Sequence, residues 1–201
     1  MGSAVLALQN FSENFKEPQR REKIDGKWVA MSPMPRVNHN RGVVNVCRIL
    51  DRHFRGCKCE LFADGIDVHL SAEHTFVPDA VVVCDPDKIK RDGIYGTPDL
   101  VVEILSPRTL KYDRGRKKDV YEESGVREYW IIDTEFARGG SIEVYILIEG
   151  KFKLYGAFPI YFPYEYEHLK QEEKDELVHE FTSPTFPDLH VQLAELFERI
   201  V

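Results

Sequence analysis

The sequence predicts an α/β (α+β) domain in which a central mixed sheet is flanked by helices and preceded by an N-terminal β-hairpin. Three features lead to this reading. The stretch from Asp99 to Asp133 reads strand, helix, strand, the unit that builds parallel strand pairs. Two strand pairs are folded about Asp25-Gly26 and Glu149-Gly150. Helical spacing of apolar residues recurs in segments between and after these strands.

Taken in order, residues up to Pro18 carry no firm signal, and 1–20 is a poorly defined lead into a single domain spanning 1–201. Arg21–Met31 alternates around Asp25-Gly26, and Ser32-Pro-Met-Pro35 ends it. Asn38 is placed to cap a helix whose apolar positions are Val43, Val46, Cys47, Leu50 and Phe54, ending near Gly56. Short strands follow at Lys58–Ala63, Ile66–Leu70 and Phe76–Cys84, and a polar connection runs between Pro86 and Pro98.

Leu100–Leu105 is a β-branched run suited to a strand covered on both faces. Ser106-Pro107 stops it, a helix extends from about Asp113 to Ser124, and Gly125 supplies the C-cap. Glu128–Asp133 is the next strand, and Ser141–Ile148 with Lys151–Tyr155 is the second hairpin. A polar helix over Glu165–Lys174, a strand at Leu177–Phe181 and an amphipathic helix at Val191–Ile200 complete the chain.

Composition narrows the function. A net charge of −7 excludes a globally basic nucleic-acid binder, so any such contact must be local. No apolar run approaches the ~20 residues of a membrane span, and the first residues lack the pattern of a signal peptide. Four cysteines without a framework spacing read as reduced thiols in a cytoplasmic protein. His53, Cys57 and Cys59 lack the spacing of a zinc site. No Gly-rich phosphate loop or nucleophile elbow is present.

Two acids interrupt apolar strand runs: Asp79 within Phe76–Val83, and Glu103 within Leu100–Leu105. A carboxylate in such a run needs a partner or a metal. If the two strands are neighbours, both acids converge at one edge of the sheet, a donor set that suits magnesium or manganese. The alternative is that Asp79, following Pro78, only caps a turn.

Several motifs together resemble the Uma2 family of restriction-endonuclease-like proteins, within the PD-(D/E)XK nuclease superfamily. They are IDGKWVAMSP at 24–33, FVPDAVVVC at 76–84, GTPDLVVEILSP at 96–107, the series Asp113, Lys117, Tyr121, and GVREYWIID at 125–133. FTSPTFPDLHVQLAELF near the end is similar to the family's usual close. The resemblance implies a restriction-endonuclease-like fold and magnesium-dependent (or manganese-dependent) hydrolysis of nucleic acid, DNA before RNA. Asp79 and Glu103 would be catalytic residues and metal ligands, helped by the Ile104 carbonyl. Leu105 stands where the superfamily carries its lysine, and the resemblance implies that Lys117, from the following helix, takes that place. A silent nucleic-acid-binding module that keeps only the fold is the competing reading.

Other residues admit two readings. His39 is similar to a histidine common at that place in the family and could contact a phosphate, or it is simply solvated at a helix start. Asp67 either faces the site or is an exposed strand residue. Arg108, Lys111, Arg114, Arg116, Lys117 and Lys118 form a basic run beside the candidate site, either attracting phosphates or forming a solvated face. Of these, Arg108, Lys111 and Arg114 are the candidate nucleic-acid contacts. The aromatic segment Phe152–Tyr166 could stack on bases or pack in a core. An acidic chain with one local basic patch is also compatible with a homodimer that shares its substrate contacts.

On the helical wheel, Lys117 falls on the apolar face with Val120 and Tyr121, whereas Lys118 lies about 100° away. Lys117 is therefore expected to point inward toward the strand carboxylates.

Overall fold

The computed structural model describes residues 20–31, 36–63, 65–106, 110–135, 140–161 and 163–200, with the side chains of 163 and 164 excepted. Two six-stranded mixed sheets organise it. The first contains β1 (Arg21–Ile24), β2 (Lys27–Ala30), β4 (Val68–His69), β5 (Thr75–Phe76), β7 (Ile89–Lys90) and β8 (Gly93–Tyr95) in the order β2-β1-β5-β4-β8-β7. The second contains β3 (Glu60–Ala63), β6 (Ala80–Val83), β9 (Leu100–Ile104), β10 (Glu128–Asp133), β11 (Ser141–Ile148) and β12 (Lys151–Pro159) in the order β12-β11-β10-β9-β6-β3. Within it, β9 and β10 are parallel and the other neighbours antiparallel.

The central strands of the second sheet, β6, β9 and β10, are buried on both faces. Helix α1 (Val37–Phe54) packs Val46, Ile49, Leu50 and Phe54 on the face that holds Val102, Ile104, Trp130 and Ile132. The opposite face, with Val81, Val101, Tyr129 and Ile131, packs on helix α3 (Arg116–Ser124) and on Ile24, Val68, Phe76 and Ile94 of the first sheet. The chain ends with β13 (Glu180–Thr182) and β14 (His190–Gln192), a two-stranded pair, and the short helix α6 (Leu193–Leu196).

Both hairpin turns form where the sequence places them. Asp25 and Gly26 have φ of 49° and 74°, and Glu149 and Gly150 have 52° and 74°, so each pair adopts the turn whose twist matches the flanking strands. Gly125 ends α3 in the left-handed region at φ 85°. Its N–H reaches the Glu122 carbonyl, and that of Val126 reaches Tyr121.

Other boundaries move. The predicted strand Phe76–Cys84 is two strands in different sheets: β5 ends at Phe76, and β6 begins at Ala80. Pro78 has no N–H to give a ladder, and the chain crosses between sheets there. The helix expected from Asp113 is broken into α2 (Leu110–Asp113) and α3. Gly115 sits in the break, where a Cβ would come 2.7 Å from the Lys111 carbonyl oxygen. Asn38 lies inside α1, whose cap position is Arg36 with no side-chain cap bond.

The polar connection after Pro86 contains β7 and β8. The single helix expected at Glu165–Lys174 is two, α4 (Pro163–His168) and α5 (Gln171–Asp175). Val191 belongs to a strand, not to the final helix. These short elements carry too few residues for a period to be read from them.

The cysteines depart from the reduced reading. Cys59 and Cys84 form a disulfide with their Cα atoms 3.8 Å apart, while Cys47 and Cys57 are not disulfide-bonded. The β3–β6 register, which pairs Glu60 with Val83, brings them opposite each other when continued by one residue. That register is invisible in the sequence. With Cys59 so used, no zinc cluster forms at His53 and Cys57 among the described residues.

Closing a loop across a sequence separation of 25 residues is worth about 3 kcal/mol. Alkylation of unreduced, denatured protein is expected to modify two thiols, and all four after reduction. Reduction should lower Tm by roughly 5–10 °C. Four reactive thiols before reduction would contradict the pairing.

Candidate active site

β6 and β9 pair antiparallel with Ala80 opposite Val102, so one further step of the register sets Asp79 against Glu103. The two acids thus meet at the end of adjacent strands, on the face that packs against α3. Neither is exposed: both lie among the buried polar residues, with Lys117 and Asp113. Alternation along β9 puts Glu103 between Val101 and Leu105, which pack with the cluster around Val120 and Tyr121.

α3 supplies the cation. Its inward stripe is Lys117, Val120 and Tyr121, as the helical wheel requires. The Lys117 side chain is 4% exposed, and its Nζ lies 2.9 Å from Glu103 Oε1 and 2.8 Å from Glu22 Oε1, with Asp113 Oδ1 at 3.6 Å. Tyr121 donates its hydroxyl to the same Glu103 oxygen at 2.8 Å. Lys118 instead sits 3.6 Å above the Tyr145 ring.

Each acid has one oxygen fixed by the protein. Glu103 Oε1 takes Lys117 and Tyr121, while Asp79 Oδ2 accepts the Ile104 N–H at 2.7 Å. Asp79 Oδ1 lies 3.2 Å from His39 Nε2, and His39 Nδ1 is 3.1 Å from the Ile104 carbonyl oxygen. His39, two residues into α1, therefore stands between two oxygens of the proposed donor set. Its ring can donate to both only with both nitrogens protonated.

The charges do not balance locally. Burial pushes the Glu103 carboxyl well above its usual range. Lys117 opposes this, while Asp113, Asp79 and Glu22 add to it. Burial acts to lower the Lys117 ammonium, but Glu103, Glu22 and Asp113 outweigh it and hold its pKa well above the ordinary value. Burial and Glu103 likewise raise Tyr121. An excess of carboxylates around one ammonium is a site that gains from a further cation.

Among the described residues no group of three His, Cys, Asp or Glu side chains forms a metal cage. Magnesium does not require one: one or two carboxylates, a carbonyl and water suffice. Asp79, Glu103 and the Ile104 carbonyl fit that chemistry, with His39 yielding its contacts.

The structure distributes the remaining candidates unevenly. Arg114 is bound to Glu143 Oε1 at 2.6 Å, and Arg116 to Asp25 Oδ1 at 2.6 Å. Lys111 is exposed, and Arg108 lies outside the described residues. Asp67 lies just before β4, in no strand, and its carbonyl accepts the Ile94 N–H of the first sheet. Of the aromatic segment, Phe152 stacks on Tyr129 and Phe158 on Phe181, so part of it is core. Glu22 escaped the sequence reading as a site residue, and Asp113 entered it only in the series with Lys117 and Tyr121. The available signal for Glu22 was its place beside Ile24 on the inward face of the hairpin.

A family model described as "Putative restriction endonuclease" matches residues 5–184. The chain belongs to the Uma2 family. A crystal structure described as a "putative nuclease belonging to DUF820", from Anabaena variabilis ATCC 29413, superposes with a TM-score of 0.66 at 19% identity, covering 96% of this chain and 98% of that one. At that identity the likeness is one of fold, and it agrees with the nuclease-like sheet architecture. The uncharacterized protein slr1290 of Synechocystis sp. (strain ATCC 27184 / PCC 6803 / Kazusa) is 29% identical over 118 residues, which are 58% of this chain and 62% of the relative. Among the described residues of this Uma2 protein, no helix is long and apolar enough to cross a membrane.

The buried charges make stability depend on pH. Glu103, with its folded pKa raised, favours the fold below its ordinary value of 4.5, and that contribution is lost as pH rises through the folded value. Lys117, also raised, stabilises the fold below 10.5 and ceases to do so at higher pH. Lys117→Met is therefore expected to cost roughly 3–5 kcal/mol at pH 7, since it strands buried anions. The deficit should shrink toward pH 5 as carboxyl groups take up protons. Urea titrations at both pH values test this, and a pH-independent deficit would contradict the charge assignment.

Proposed function

We propose that this Uma2 protein hydrolyses phosphodiester bonds of nucleic acid, DNA in the first instance, with magnesium or manganese held by Asp79 and Glu103. The observation that carries this reading is the apposition of the two carboxylates at the ends of β6 and β9, with the Lys117 amine 2.9 Å from Glu103. A bound ion would acidify a water and stabilise charge on the phosphoryl oxygens. The Ile104 carbonyl would complete the protein ligands.

The chain's own residues divide the remaining work. The Ile104 N–H and the Tyr121 hydroxyl each fix one oxygen of an acid, which orients the other. Lys117 stays an ammonium, because its carboxylate neighbours stabilise that form. It therefore orients water and offsets charge in the transition state. Lys118, held over Tyr145, takes no part in this centre. His39, facing both Asp79 and the Ile104 carbonyl, orders the site and is a phosphate contact once it releases them.

The basic run contributes less than its six cations imply. Arg114 and Arg116 are neutralised by Glu143 and Asp25, and Lys117 is inside. Lys111, exposed, is the described residue of the run best placed to meet a phosphate. Lys111→Ala should reduce the salt slope of duplex binding by about 0.9, and fluorescence anisotropy at several salt concentrations reads it.

Asp79→Asn and Glu103→Gln preserve shape and remove charge. Each is expected to weaken manganese binding at least ~100-fold and to abolish plasmid nicking with the fold retained. In the wild type, manganese affinity should rise with pH through the carboxylate range, because ligating carboxylates must be deprotonated. Calorimetric titration at three pH values and a nicking assay check these outcomes. Metal-dependent cleavage surviving in either variant would overturn the assignment, and a wild type that binds nucleic acid but no metal would favour the silent module.

A further inference from the structure

The N-terminal hairpin reaches the candidate site through one side chain. Glu22, in the middle of β1, is 9% exposed and turns inward beside Ile24. Its Oε1 accepts the Val77 N–H at 3.0 Å and lies 2.8 Å from Lys117 Nζ. Val77 belongs to the crossing segment that ends in Asp79, so Glu22 ties Lys117 to the backbone that delivers the other acid.

We propose that Glu22 is the positioning residue of Lys117, the carboxylate that keeps its amine in place when Glu103 turns its charge to another cation. This deepens the nuclease reading and rests on it for its catalytic consequence, though not for the contact itself. Glu103 shares a single oxygen between Lys117 and Tyr121, and any cation drawn to Glu103 weakens its hold on the amine. Asp113, at 3.6 Å, is beyond direct hydrogen-bond length. Glu22 is the shorter contact and has its own backbone anchor.

The neighbouring residue fixes the geometry from outside. Arg116 grips Asp25 in the hairpin turn at 2.6 Å, so two consecutive residues of α3 dock on the same hairpin, one at the surface and one within. Rotation of α3 about its axis would break both. The site thus joins the two sheets: the first holds the lysine, and the second holds the acids.

The test compares wild type, Glu22→Gln, Glu103→Gln, Glu22→Gln/Glu103→Gln, Lys117→Ala and Glu22→Gln/Lys117→Ala as full chains. In the absence of metal, acetylation of Lys117 by a water-soluble activated ester is followed by peptide mass spectrometry. Glu103→Gln alone should label within about twofold of wild type because Glu22 still holds the amine. Glu22→Gln/Glu103→Gln should label at least ~10-fold faster. Release of Lys117 by Glu103→Gln alone, or continued protection in a folded double variant, would overturn the proposal.

Circular dichroism melting identifies a variant that has not folded. In that case Glu22→Asp, which shortens the carboxylate and keeps its charge, replaces Glu22→Gln in both arms and should label faster than wild type when combined with Glu103→Gln. Protection equal to wild type would overturn the proposal as well. In the nicking assay, Glu22→Gln should cut kcat about 100-fold with KM unchanged, and should add no further loss to Lys117→Ala. Additive losses would make Glu22 a separate structural element. Absence of nicking in the wild type would refute the nuclease reading while leaving the labelling result to decide the role of Glu22.

Discussion

A buried lysine among carboxylates is the constraint on which the rest of this structure depends. Removing the Lys117 ammonium and the Glu103 carboxylate from water costs several kcal/mol per ion, and one ion pair does not securely repay that. The fold repays it by crowding: Glu22, Glu103 and Asp113 all lie within 4 Å of one amine. Crowding secures the lysine and unsettles Glu103, whose carboxyl is raised by burial and by the neighbouring acids. The same arrangement joins the hairpin to α3, and its excess of carboxylates is what the proposed divalent ion would offset.

Each participant reaches this point by a different structural route. Glu103 is placed by strand alternation in β9, Asp79 by the β6–β9 register, Lys117 by the 3.6-residue period of α3, and Glu22 by the inward face of β1. None of these devices can slip alone. A one-residue shift of β6 against β9 would turn Asp79 to the opposite face of the sheet. Pro78 and Gly115 stand at the two places where the chain must leave regular structure for this to work. Pro78 marks the crossing between sheets, and Gly115 permits the break that starts α3 at Arg116.

What was legible in the sequence is what local periodicity encodes. The two hairpin turns, the C-cap at Gly125, the strand with Glu103 and the inward direction of Lys117 all follow from spacings within about ten residues. The first sheet was not legible as a sheet, because β4, β5 and β7 are two residues long and carry no period. The Cys59–Cys84 pairing and the partnership of Glu22 with Lys117 depend on which distant strands lie side by side, and no local pattern reports that. The basic run was legible as charge. Its neutralisation by Glu143 and Asp25 was not, since one partner comes from a strand and the other from a hairpin turn, both remote in sequence.

That neutralisation bears on how a strongly anionic polymer could approach a chain of net charge −7. Arg114 and Arg116 are each held by a carboxylate at the protein surface, which lowers the long-range attraction a bare basic run would exert. Among the described residues of the run, exposed Lys111 remains, beside a buried centre that would gain a cation only on binding one. Repulsion by the carboxylate cluster falls as soon as a divalent ion enters, because the ion's two charges offset two of the acids. If the proposed function holds, metal and nucleic acid would be coupled by charge, each favouring the other. Binding of the polymer without the ion works against the same excess of carboxylates that raises Glu103 and holds Lys117.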